Sequence, residues 1–287
     1  MIDLTWLVLR AASLLLTFQA AGMALFIAAF AKLLGEERPR LQRLGQRAAL
    51  AAAALLVAQL LIEPLHLAGD WSDVGVATLR IFVSSSATLA LCACLFGIAC
   101  AALALRQARS PGRLRRALAA LGGLLTVGSF LLTGHTASHR ERAVLAVLLY
   151  LHLTIVAFWF GSLRPLRALA SRAAPADAAR VLVAFSRTAV WLVPLIALAG
   201  AAMALLLLPN LAALRRPYGL LLLTKAALFA IVMGIAALNR QRLLPALARS
   251  EPSAAAHLVR SIGLEYFLLG IVFTVTAVMS GAFSPGD

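Results

Sequence analysis

The residues of this chain that could do chemistry are five histidines and a few charges set inside apolar stretches. His66, His135, His139 and His152 fall at or near one and the same end of their stretches, and only His257 lies in a basic loop. His135 and His139 stand four apart in Gly-His-Thr-Ala-Ser-His, and share one face if that segment is helical. Glu63 and His66, three apart, share a face if their helix continues past Pro64. His152 lies nine residues into an uncharged run, where an ionisable group marks function by default. Neutral imidazole is the commonest metal ligand and suits copper. His152 and His135, with His66, His139 and Glu63 behind them, are therefore the candidate metal ligands. His66 and His139 read equally well as interfacial residues whose tips reach water. Lys225 also sits inside an apolar run, where it would pair, snorkel to the headgroups or mark a pathway. Glu63 is one possible partner for it.

Other chemistries lack their residues. The chain has no Gly-x-x-x-x-Gly-Lys-Ser/Thr loop, and its only lysines are Lys32 and Lys225, so no phosphate cradle forms around one. ATP-driven pumping by this chain alone is not expected. No Ser/His/Asp arrangement or His-Glu-x-x-His helix appears, and the chain does not read as an enzyme. Cys92, Cys94 and Cys100 share one apolar run, but Cys92 and Cys94 point to nearly opposite helix faces and cannot grip one metal. They read as small packing residues, not as a disulfide framework. Met203 and Met279 lie in the outer thirds of their runs; thioether sulfur suits Cu(I), though packing is the plainer role.

The elements that carry these residues are membrane spans. Of 287 residues, 62% are hydrophobic and 13% charged, with mean hydropathy +0.94. A soluble domain could not coat so much apolar side chain. A bilayer core needs roughly 20 apolar residues per helix. Such stretches fall at 11–31, 48–68, 81–105, 117–134, 143–163, 188–210, 218–239 and 261–283, predicting an all-α bundle of eight transmembrane helices in one membrane domain, 1–287. The first run is no signal peptide, because it lacks a basic start and is too long. The net charge of +15 sits in short blocks between spans, so it points to lipid headgroups and not to nucleic acid. Nineteen of the 26 basic residues lie in alternate linkers, between spans one and two, three and four, five and six, and seven and eight. Lys/Arg excess marks the cytoplasmic side, so both termini are expected outside.

Thr133-Gly-His-Thr-Ala, followed by Leu151-His-Leu-Thr-Ile-Val-Ala-Phe-Trp-Phe-Gly-Ser-Leu-Arg-Pro-Leu166, resembles the CopD/PcoD copper-resistance membrane proteins. There a Gly-His-Ala element precedes a helix bearing His and then Trp-x-Gly-Gly. Phe185-Ser-Arg187, Tyr218-Gly-Leu-Leu-Leu-Leu-Thr-Lys225, Ala237-Leu-Asn-Arg240 and Arg260-Ser-Ile-Gly-Leu-Glu265 are similar to the same family. The resemblance is specific over 131–285, and hydropathy carries it before that. Ser162 stands where a second Gly is usual, and Thr136 where Ala is usual. The resemblance implies a bacterial inner-membrane protein that handles copper with a small periplasmic CopC-like partner. It adds Trp159, Gly161, Lys225 and Glu265 to His135 and His152 as matching positions.

The expected function is copper binding at the periplasmic side and transfer into or across the membrane. Inward movement of one positive charge gains about 2.3 kcal/mol per 100 mV. The copper oxidation state is open at this level. A membrane haem or electron-transfer protein is the alternative, with His66 and His152 as axial ligands from neighbouring helices. A third reading is a copper sensor or docking platform without transport. Imidazole ligates only when neutral, so copper binding is expected to weaken as pH falls through about 6.5.

Overall fold

The computed structural model describes residues 4–70, 74–106, 112–134 and 139–283, the side chain of His66 excepted. In chain order the helices are α1 (Leu4–Phe30), α2 (Arg38–Ala68), α3 (Val76–Ser84), α4 (Ser86–Ala104), α5 (Arg113–Gly128), α6 (Arg142–Arg172), α7 (Pro175–Leu207), α8 (Pro217–Leu238), α9 (Leu244–Ala248) and α10 (Ala254–Ala282). A 3-10 turn, Ser129–Leu132, extends α5, and a π-helical turn, Asn239–Leu243, joins α8 to α9. Eight of the described helical segments are long and apolar enough to cross a membrane. The protein is an all-α, multi-pass membrane protein.

Prolines at the first turns of α2, α7 and α8 sit where a missing N–H removes no helical bond. Pro64, Pro165 and Pro194 lie within helices, which membrane bundles tolerate because neighbours satisfy the freed backbone. The helix does continue past Pro64, so Glu63 and His66 belong to one helix. The expected third span, 81–105, is shorter than the sequence suggests. Ser85 turns extended, its hydroxyl accepts the Thr88 N–H at 3.1 Å, and the Thr88 hydroxyl donates to Phe82 O at 2.6 Å. This serine cap starts α4 at Ser86 and leaves α3 as a separate short helix.

Helix α1 is the central post, packed by α2, α4, α5, α6 and α10. Its middle is built of small residues, Ala20, Ala21, Gly22 and Ala24, all buried. At the crossing with α6, a Cβ on Gly22 would fall 1.7 Å from the Ala157 carbonyl oxygen, and one on Gly161 would fall 2.4 Å from Gly22. Only two glycines let the backbones approach so closely. Beside this contact the buried Gln19 donates its amide to the Gly161 carbonyl at 3.1 Å. Helix α7 packs on α6, and α8 packs on α10, but α7 and α8 are not packed along each other. They are tied through α9, which packs on α7. Eight spanning segments among the described residues put the start of α1 and the end of α10 on one face, opposite the arginine-rich linkers.

Candidate metal site and its polar surroundings

His152 is carried by α6 and faces α7. Its Nδ1 lies 3.2 Å from the Ile196 carbonyl oxygen. A carbonyl can only accept, so this bond requires the proton on Nδ1 and leaves the Nε2 lone pair free to ligate. Backbone carbonyls fix ligating histidines in metal sites in the same way. One turn on from Ile196, Gly200 makes the space for the ring: a Cβ there would stand 3.4 Å from Cε1 and 3.6 Å from Nδ1.

Lys225, on α8, reaches into the same region, close enough for its charge to act on His152. Among the described residues no carboxylate forms an ion pair with it. The expected candidate, Glu63, is engaged elsewhere. Trp6 Nε1 donates to Glu63 Oε2 at 3.3 Å, and Arg10 lies within charge reach of the same carboxylate. Arg10 stacks over the Trp6 ring at 4.9 Å and donates to the Ser280 hydroxyl at 3.3 Å. This cluster ties α1, α2 and α10 together at the face where α1 starts and α10 ends.

The structure thus places Glu63 apart from His152. Helix α2 packs on α1, α3 and α4, whereas α6 packs on α1, α5, α7 and α10, so α1 stands between them. His135 lies outside the described residues. His139 lies in the bend before α6, not on a helix, and its Nδ1 accepts the Glu141 N–H at 3.0 Å. Among the described residues no three His, Cys, Asp or Glu side chains converge as a metal-binding group. The cysteines behave as their spacing suggests, with Cys92 exposed, Cys94 buried and Cys100 between.

Deeper between the helices, Glu265 of α10 is only 4% exposed. It accepts a short hydrogen bond from the side-chain amide of Asn239, which opens the π turn. The buried Trp159 indole N–H, from α6, stands beside the same carboxyl. Single π turns insert one extra residue into a helix and recur at functional sites. Asn239 entered the sequence reading only within the family-like Ala237-Leu-Asn-Arg240, and Gln19 not at all, its signal being a lone amide within an apolar run.

A family model described as copper resistance protein D, CopD, matches residues 179–279. This stretch, about a third of the chain, runs from α7 to α10 and contains Lys225, Asn239 and Glu265; His152 and Trp159 precede it. No curated protein and no solved structure matches the chain. The matched region closes the bundle and carries the buried Asn239–Glu265 pair, and over residues 179–279 the chain is similar to the CopD copper-resistance proteins.

Proposed function

We propose that this protein binds copper at the periplasmic side of the bacterial inner membrane and transfers it into or across that membrane. In this reading both termini are periplasmic, and a CopC-like periplasmic protein delivers the ion. The observation that carries it is His152: a half-buried imidazole inside a span, its Nδ1 held by the Ile196 carbonyl and its Nε2 left free. His135, four spans into the chain and just before α6, is the second ligand of choice; His66, His139 and Glu63 are weaker ones.

Copper is the substrate here, so the site must release it. The neighbouring Lys225 ammonium opposes a second cation at His152. This keeps affinity within the range that permits both entry and departure, as conduction requires. Below His152 the buried Trp159, Asn239 and Glu265 form the next polar station toward the arginine-rich face. The membrane potential, negative inside, supplies the drive.

The test is copper stoichiometry and affinity on purified protein, together with its optical spectrum. Wild type should bind copper without a Soret band, and His152→Ala with His135→Ala should lose it. Unchanged binding in that double variant would refute the site, and a Soret band would refute the copper reading.

A further inference from the structure

At the arginine-rich face the ends of α1, α2, α4 and α5 close around a small cavity. Its walls include Arg38 and Gln42 of α2, Arg115 and Arg116 of α5, and the apolar Ile27 and Ala31 of α1 and its end. The Nε atoms of Arg38 and Arg116 are buried and have no hydrogen-bond partner among the described residues. Gln42, 3% exposed, lines the same space, but its unmatched carbonyl oxygen is an acceptor and adds nothing to the binding of an anion. One arm of Arg115 is committed to the Arg106 carbonyl at 2.9 Å. Among the described residues no carboxylate lines the cavity; Glu37, beside Arg38 in sequence, stands 3.9 Å from Arg40, and its buried Oε2 makes no hydrogen bond.

A buried N–H left unpaired is expensive, and a charged acceptor oxygen is the partner that completes an arginine N–H best. Two further features make the deficit anionic. Helices α2 and α5 both start here, so their N-terminal dipoles add positive potential. The guanidinium fork matches the oxygens of phosphate in geometry as well as charge. The cavity holds about 10 Å³, room for one oxygen atom and not for a whole phosphate. A phosphate would therefore seat a single non-bridging oxygen between Arg38 and Arg116 and keep its bulk at the mouth. The apolar side chains on the α1 wall suit the uncharged part of a lipid.

We infer that this cavity is a binding site for a phosphate oxyanion, presented either by an anionic lipid headgroup or by free phosphate. It stands apart from the copper reading, since none of its residues lies within the matched family region.

The test uses the full chain in phosphatidylcholine nanodiscs, with and without phosphatidylglycerol. Retained phosphatidylglycerol is counted by native mass spectrometry. In a second arm, thermal unfolding is followed in phosphatidylcholine alone while inorganic phosphate is titrated. Arg38→Lys with Arg116→Lys keeps the charge that orients the spans but removes both Nε donors. This pair should lower retention, or the phosphate response, about tenfold, because a lysine offers a point charge without the fork. Arg113→Lys, exposed and off the cavity, should change neither. Loss of the lipid response identifies a headgroup; loss of the phosphate response alone identifies free phosphate. If the double variant fails to insert, Arg116→Lys alone carries the comparison. Wild-type behaviour of the lysine variants in both arms would overturn the site.

Discussion

At the scale of the residue, the chemistry of His152 is set by what its other nitrogen does. The Ile196 carbonyl orients the ring, and Gly200 leaves it space to lie against α7. Gly200→Val would set a branched Cβ only 3.4 Å from the ring's Cε1. Copper affinity should fall about 10–100-fold, the range seen when groups supporting a metal ligand are lost; equilibrium binding on folded protein checks it. Lys225→Met should have the opposite effect on affinity, tightening copper at His152 while slowing its release, read from dissociation rates. An unchanged rate would mean that the ammonium reaches the headgroups and leaves the ion alone. His152 and Lys225 were legible in the sequence because ionisable groups inside apolar runs are rare. Ile196 and Gly200 were not. A backbone carbonyl and a glycine acquire meaning only from the helix packed against them, 44 and 48 residues away in sequence.

Among the elements, two contacts decide whether these residues meet. The first is the α1–α6 crossing. Gly22→Val places a branched Cβ against the Ala157 carbonyl, so the helices must separate. Stability should drop by about 1–3 kcal/mol or more, the usual range for overpacking, measured as a lowered Tm in detergent. The second is the Asn239–Glu265 pair between the π turn after α8 and α10. Asn239→Leu alone leaves a buried carboxyl without its donor and should cost about 1–3 kcal/mol, while adding Glu265→Leu should recover most of that loss. The spans themselves were readable because roughly 20 apolar residues without charge have few other uses. Their ends were less so. Helix α7, at 33 residues, is about 50 Å long, well beyond the bilayer core, because its first turns carry charges that hydropathy counts against it. The break at Ser85 was hidden because serines barely lower the hydropathy of the run on either side.

For the whole molecule, the asymmetry of basic residues sets orientation. A reporter enzyme active only in the periplasm, fused after Asp287, should be active; activity confined to cytoplasmic reporters would reverse every assignment of side. The even number of crossings was legible, and so was the likeness to the family that 179–279 matches. The order in which helices surround α1 was not, since lipid-facing and helix-facing surfaces are equally apolar and leave no periodic stripe. That order has one more consequence. Of the eight spans α1 is the most enclosed and α8 the least, held along a single seam by α10 and at its start by the turn Leu211–Arg215. Lys225 on α8 and Asn239 just past its end therefore ride on the element with the least to lose by moving. Such elements open at the low end of the local free-energy scale. In amide hydrogen exchange, α8 should take up deuterium well before α1, and faster still once Asn239→Leu has cut its polar tie to α10.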